Sequence, residues 1–447
     1  PALVMFLVVA YFFNAVRSQA SGISTKYWKQ GAEATAKGNY QDAELLLERV
    51  LLENSGHQDD ARFALALQYE NEGQLERAAS LFRLLAPDDK PGYRPAHRRL
   101  AILLCREINP QSSGEVLNRC HWHLKSALDD ETPAIAMAWG QYSMAVGDYR
   151  AAKQYYMSAA DEHPMLWKEL GELESAFGND DAARARYARA VDYYAPHLLK
   201  TPEDHASRID YASVLLRLRR IDESRQLLNE GKRILPEESA AWNFMLANIC
   251  LVEHEVMSEQ GDPVEQQFAK LADALALDPN HRATLTRLMA YAQVSDADDR
   301  KALRSILEEA QARTNSPGLT HLALGNLSYV EGDKDAAALH FDLALGNDSR
   351  MPVVLYNLAW IISHDEDNPD YDLALEMINA ALEQRPDNPS FLDTRGFIYL
   401  KQEKWKAALA DLEKALPGVK DPVHVHENLA TIYDNLKLPA IAEQHRL

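Results

Sequence analysis

Small and large apolar residues recur along this chain in a fixed order, separated by turns that contain glycine. One copy runs Ala136-x-x-Trp139-Gly140, Gly147-Asp148-Tyr149, Ala152-x-x-x-Tyr156 and Pro164. The next copy lies 31 residues further on, with Trp167-x-x-Leu170-Gly171, Gly178, Ala183-x-x-x-Tyr187 and Ala190. Each copy predicts two helices that fold back on each other around the turn.

Twelve such helix pairs account for most of the chain. Leu324-Gly325 and Leu358-Ala359 lie 34 residues apart, and so do Ala408 and Ala442. Small residues in each copy let the two helices of a pair approach closely, and larger ones such as Phe82 fill the space between successive pairs. The third, sixth, seventh and eighth copies are irregular, with longer turns or with Arg219-Arg220 where a glycine is expected.

By these residues the chain resembles the tetratricopeptide repeat family over about 420 of its 447 residues. The order W-x-x-L-G, A-x-x-x-F/Y and P is the signature of that family. The resemblance implies an all-α, right-handed superhelical solenoid whose first helices line a concave groove for proteins or peptides. We divide it into repeats 1–5 (26–200), irregular repeats 6–8 (201–316) and repeats 9–12 (317–447), the last of them incomplete.

The N-terminal residues 1–16, PALVMFLVVAYFFNAV, carry no charge. A membrane-spanning helix needs about 20 apolar residues, so we expect a single-pass anchor that is incomplete at its start, followed by a connector over 17–25. A cleaved signal peptide with Ser18-Gln19-Ala20 as its cleavage site and a buried capping helix are the alternatives. Arg17, Lys26 and Lys29 favour a cytoplasmic solenoid, whereas basic residues upstream would place it outside.

Charge and cysteine content narrow the choice of partner only in part. The formal net charge is −20, with 67 acidic and 47 basic residues, so phosphate backbones are repelled and nucleic acid is not expected as a partner. Cys105, Cys120 and Cys250 form no C-x-x-C pair, which indicates neither a disulfide framework nor a zinc site. We interpret all three as small buried apolar residues.

The motifs of this chain predict neither catalysis nor metal binding. It contains no P-loop, no G-x-G-x-x-G and no G-x-S-x-G motif. The histidines of Cys120-His121-Trp122-His123 and His424-x-His426 are two residues apart, which places them on different sides of a helix. We therefore predict a protein without enzymatic activity, cofactor or metal.

The first helices of the C-terminal repeats carry the residues that are best suited to hold a peptide. Asparagine amides both donate and accept hydrogen bonds, as a peptide backbone requires, and aromatic side chains supply anchoring area. Ordinary packing between repeats would explain the aromatics equally well. The predicted groove residues are Asn326, Tyr329, Tyr356, Asn357, Trp360, Thr394, Phe397, Asn428 and Thr431.

Asn326 and Asn357 fall where chaperone-tail-binding members of the family carry paired asparagines. The cations that those members use for a terminal carboxylate are replaced by Leu322, Ser390 and Thr394, which disfavours that mode of binding. The arrangement Asp393-Thr394-Arg395-Gly396 with Trp405 resembles repeat proteins of bacterial envelopes.

These observations lead to a hypothesis with one alternative. The chain is expected to be a scaffold, tethered through 1–16 to the bacterial inner membrane, that organises partner proteins as a subunit or assembly factor of an envelope complex. Alternatively, it is a regulatory or docking subunit of a membrane enzyme complex, with the residues after Pro422 as the docking surface.

Overall fold

A computed structural model describes residues 22–52, 57–127, 132–347, 351–365 and 369–446 of the chain. Within these ranges the protein forms 24 α-helices, two short 3₁₀ turns and no strand. The helices pack as twelve successive pairs and fall into two compact units, divided between Lys200 and Thr201. The architecture is therefore an all-helical repeat of the tetratricopeptide kind.

The first unit contains five helix pairs. Its helices are α1 (22–36), α2 (Tyr40–Leu52), α3 (Gln58–Asn71), α4 (Leu75–Leu85), α5 (Arg94–Glu107), α6 (Gly114–Ser126), α7 (Pro133–Ala145), α8 (Tyr149–Ala159), α9 (Leu166–Ala176) and α10 (Asp180–Lys200). Its core runs through the pairs as clusters of buried alanine, leucine and aromatic residues. Each pair thus buries its apolar face against its neighbours, as expected of a repeat protein.

The second unit contains seven helix pairs. Its helices are α11 (His205–Arg217), α12 (Ile221–Ile234), α13 (Ser239–Gln260), α14 (Val264–Leu277), α15 (Arg282–Val294), α16 (Ala297–Ala312), α17 (Gly318–Val330), α18 (Lys334–Asn347), α19 (Pro352–Ser363), α20 (Tyr371–Gln384), α21 (Pro389–Lys401), α22 (Trp405–Ala415), α23 (Val423–Asn435) and α24 (Pro439–Arg446). The 3₁₀ turns are Pro236–Glu238 and Leu416–Gly418. Buried clusters again follow the pairs.

A glycine in the first helix of the regular pairs faces a large side chain from the second. A Cβ atom added at Gly140 would lie 2.3 Å from Cε1 of Tyr156. A Cβ atom added at Gly171 would lie 2.4 Å from Cε1 of Tyr187. No two non-bonded carbon atoms approach so closely, so each ring occupies the volume that a methyl group would fill. The W-x-x-L-G and A-x-x-x-Y motifs are thus the two halves of one contact.

The irregular sixth pair closes its turn without glycine. Arg219 takes a positive φ of 57°, a conformation that Gly147 and Gly178 adopt in the regular turns with φ of 80° and 76°. A side chain in this region costs about 1–2 kcal/mol. The guanidinium of Arg219 donates two hydrogen bonds of 2.7 Å to the carboxylate of Glu259 on α13. Because both side chains are more than half exposed, this ion pair offsets only part of that cost.

Two of the three cysteines form a disulfide. Cys105 on α5 and Cys120 on α6 are bonded, with Cα atoms 6.4 Å apart and both side chains buried. The interpretation of these two residues as free apolar side chains was therefore wrong. The two helices of the third pair bring together cysteines that lie 15 residues apart, which no C-x-x-C rule detects. Cys250 is free and buried, as predicted.

The expected membrane anchor at 1–16 lies outside the described residues, and so do residues 17–21 of the connector. Residues 22–25, which the sequence assigns to the connector, are helical and belong to α1. Within the part of the chain that is described, no helix combines the length and the apolar character needed to cross a bilayer.

The contact between glycine and ring predicts a specific loss of stability. Gly140→Ala forces the buried Tyr156 ring out of place, and we expect the free energy of unfolding to fall by about 1–3 kcal/mol. Gly114→Ala is the matched control, because a Cβ there meets no atom within 4 Å. The urea midpoint followed by circular dichroism measures both variants. Equal midpoints for the two variants would contradict the steric explanation.

Candidate functional site

The two asparagines of the predicted groove meet between α17 and α19. The Nδ2 atom of Asn357 donates to Oδ1 of Asn326 over 3.2 Å. Asn326 in turn donates from Nδ2 to the backbone oxygen of Leu322 at 2.8 Å, and the same atom lies 3.3 Å from the sulfur of Met289 on α15. Three successive first helices thus position one pair of half-buried amides.

Beside the amides, aromatic rings form a continuous row that we call the aromatic ladder: Tyr329, Trp360, His364 and Phe397. Tyr329 meets Trp360 edge-on, with ring centroids 5.4 Å apart. The rings of Trp360 and His364 are parallel at 4.1 Å, and those of His364 and Phe397 are parallel at 4.1 Å. The ammonium of Lys401 lies 5.2 Å from the centroid of Phe397 and ends the row. The ladder connects α17, α19 and α21, and its rings are only partly buried.

His364 is not among the residues that the sequence predicts for the groove. It follows Trp360 by four residues, the spacing that places two side chains on the same side of a helix. Its Nδ1 atom lies 2.9 Å from the backbone oxygen of Trp360, one turn earlier. This i, i+4 spacing is the signal in the sequence that could have found it.

Other predicted groove residues lie away from the ladder. The ring of Tyr356 stacks on Phe391 at 5.1 Å, and Thr394 is 3% exposed. Both belong to the packing between α19 and α21. Thr431 is exposed on α23, with its hydroxyl donating to the backbone oxygen of Glu427 at 3.0 Å. Asn428 is half-buried on the same helix, and no hydrogen bond among the described residues links these two to the ladder.

The Asp393-Thr394-Arg395-Gly396 arrangement has structural roles in this fold. The guanidinium of Arg395 donates to both carboxylate oxygens of Asp411 at 2.7 and 2.8 Å. A Cβ at Gly396 would lie 2.6 Å from Leu412, so the glycine allows α21 and α22 to approach. Asp393 is 2.8 Å from Nε2 of His424. Packing and ion pairing therefore explain the motif without a ligand.

The histidine pairs of the sequence have separate environments. His123 is buried against His97 and Asp88, with Nδ1 to Nδ1 and Nε2 to Oδ1 distances of 2.8 and 2.9 Å. His121 instead contacts the rings of Trp139 and Tyr142. The described residues contain no group of three or more side chains that could hold a metal ion.

Comparison with known proteins supports the repeat family. Residues 29–93 and 169–239 match the model of the tetratricopeptide repeat. These segments run from α1 to the loop before α5, and from α9 to the start of α13. No curated protein matches the chain.

Several solved structures are similar to the chain at low identity. Yeast Tom70 is 15% identical, with a TM-score of 0.34 over 94% of this chain and 90% of that one. The APC/C hetero-tetramer Cut9–Hcn1 is 15% identical, with a TM-score of 0.37 over 93% and 90%. MamA (41-end) from Desulfovibrio magneticus RS-1 is 15% identical, with a TM-score of 0.32 over 38% and 91%.

The position of His364 inside the ladder predicts an unusual titration. Burial lowers the pKa of His364 below its ordinary value of 6.5, so the unfolded chain binds this proton more tightly than the folded one. The stability that this residue contributes is therefore complete above pH 6.5 and declines as the pH falls from 6.5 toward the folded pKa. A ¹³Cε1 NMR titration, assigned with His364→Gln, measures that pKa, and a value at or above 6.5 would overturn the prediction.

Proposed function

We propose that the chain is a scaffold without catalytic activity that binds an extended segment of a partner protein along α17, α19 and α21. The observation that carries this proposal is the combination of the amide pair, Asn326 and Asn357, with the adjacent aromatic ladder. Both features are contributed by successive first helices, which is the surface that the repeat family uses for binding.

The chemistry of the surface fits a peptide in extended conformation. An amide side chain can donate to a backbone carbonyl and accept from a backbone N–H at the same time. Tyr329, Trp360 and Phe397 offer rigid apolar area, and each is held by a neighbouring ring before any partner arrives. Because their positions are already fixed, little side-chain entropy is lost on binding. The surface thus combines backbone recognition with anchors for apolar side chains.

The environment of the amides favours an internal segment of the partner over its C-terminus. The positions that would need a cation for a terminal carboxylate hold Leu322, which is 8% exposed, Thr394, which is 3% exposed, and the exposed hydroxyl of Ser390. None of these side chains carries a charge. A chain end therefore has no counter-charge at the amides, and a segment that passes through the groove is the better fit.

Site-specific photo-crosslinking tests the groove. With a benzophenone amino acid in place of Phe397, we expect a discrete crosslinked partner in cells, because the ladder faces that partner. The same amino acid at Tyr149, an exposed ring on the second helix α8, is the matched control. Asn357→Ala in the Phe397 background should reduce the crosslink by about fivefold or more, as expected for the loss of a hydrogen bond of roughly 1 kcal/mol.

The groove is the wrong surface if the crosslink at Phe397 is no stronger than at Tyr149. If Asn357→Ala loses the crosslink and also lowers the melting temperature strongly, Asn357→Asp distinguishes lost binding from lost folding. This variant keeps the side-chain size and one acceptor.

We also propose that residues 1–16 tether the scaffold to a membrane and that its repeats lie on the extracytoplasmic side of a bacterial envelope. The uncharged sequence of residues 1–16 supports the tether. The disulfide between Cys105 and Cys120 supports the side, because disulfides persist in oxidising compartments and are rare in the cytosol. A tether would also raise the effective concentration of the groove near membrane-bound partners.

Cell fractionation and thiol alkylation test this placement together. The chain should sediment with membranes, and removal of residues 1–16 should release it. The alkylating reagent is added at lysis, and the protein is unfolded in its presence without reductant. One thiol, that of Cys250, should then react, and three thiols should react after reduction. Three thiols without reductant would place the repeats in the cytosol, and sedimentation independent of residues 1–16 would exclude the tether.

A further inference from the structure

A cavity of about 410 Å³ lies beside the groove, where α15, α17 and α19 begin. We call it the arginine pocket and define it by Arg282, Leu319, Leu322, Met351, Val353 and Arg385. Its volume falls within the range of about 300–1,000 Å³ that is typical of ligand sites. Two exposed arginines and several apolar residues therefore line the same half-open cavity.

The two arginines are exposed, and their side chains have no partner within the described part of the chain. Among the arginines described in residues 201–446, only Arg217, Arg282 and Arg385 have side chains that make no hydrogen bond or ion pair. Others in this unit, such as Arg395 and Arg225, are held by carboxylates. Two of the three unpaired arginines line this one cavity.

The pocket is continuous with the amide pair. Leu322 lines the pocket, and its backbone oxygen accepts the hydrogen bond from Asn326. Met351, which also lines the pocket, packs in the same apolar cluster as Trp360 of the ladder. A segment that contacts the amides is therefore one helical turn of α17 away from Leu322, which lines the pocket.

We propose that the arginine pocket binds an aspartate or glutamate side chain, next to an apolar residue, in the partner segment held by the groove. This inference rests on the proposed function and adds the chemistry of the partner. A guanidinium binds a carboxylate through two parallel hydrogen bonds, and Leu319 and Val353 offer area for an aliphatic side chain. The net charge of −20 repels acidic segments elsewhere on the chain, so this pocket fixes where the acidic residue is placed.

Methyl NMR on the whole chain, labelled at methionine, tests the pocket directly. The methyl of Met351 reports on the pocket, and that of Met289, which contacts Asn326, reports on the amides. The probe is acetyl-leucyl-aspartyl-amide, whose only charge is its side chain, and the matched compound is acetyl-leucyl-asparaginyl-amide. We expect the aspartyl compound to shift the Met351 signal saturably and to bind about tenfold more tightly than the asparaginyl compound, as expected for a charge-assisted hydrogen bond.

Variants of the arginines decide whether the pocket is responsible. Arg282→Gln with Arg385→Gln should abolish the preference for the aspartyl compound. Arg217→Gln, which removes the third unpaired arginine but lies outside the pocket, should leave it intact. An unchanged preference in the double variant, or a Met351 signal that ignores the aspartyl compound, overturns the proposal. Inorganic phosphate that shifts Met351 when the aspartyl compound does not would also overturn it, by indicating a small-anion site.

Failure of the pocket and failure of the groove give different results. If the groove is wrong, the crosslink at Phe397 is lost while Met351 still responds to the aspartyl compound. If the pocket is wrong, the crosslink persists at full strength in the Arg282→Gln and Arg385→Gln double variant.

Discussion

The close contact between a glycine on one helix and a ring on the next sets the geometry on which the regular repeats depend. Tyr156 occupies the space beside Gly140, and Phe341 does the same beside Gly325, where a Cβ would lie 2.5 Å from the ring. Because the two helices of a pair can approach only where the side chain is absent, the contact fixes their separation. Each pair is thereby a compact unit, and packing of one unit on the next brings side chains of different repeats together.

The candidate site follows from that packing of successive repeats. Asn326 and Asn357 belong to different repeats and are 31 residues apart, yet their amides are within hydrogen-bonding distance. The ladder likewise takes its rings from three repeats. Neither feature exists within a single hairpin, so the binding surface is a property of the stack, as is usual for repeat proteins.

The all-helical repeat could be predicted from the sequence, because glycine, alanine and aromatic positions recur with a nearly fixed period. A groove role for Asn326 and Asn357 was predicted from their positions on first helices and stays a prediction, whereas the hydrogen bond between them was not foreseen. His364 and the disulfide could not be predicted in this way. His364 joins the ladder by stacking between rings from two repeats, and Cys105 meets Cys120 only because the third pair folds back on itself. The arginine pocket was also missed, because Arg282 and Arg385 are far apart in the sequence and only the fold brings them to one cavity.

The disulfide of the third pair has a mechanical consequence. A stack of hairpins that is pulled along its length yields one pair at a time, since each pair contacts only its neighbours. The bond between Cys105 and Cys120 keeps the 15-residue interval between them from extending, which withholds roughly 50 Å of contour length at 3.3–3.6 Å per residue. Under tension the third pair is therefore the least extensible point of the first unit, and the oxidation state of two cysteines determines how far the chain can be drawn out.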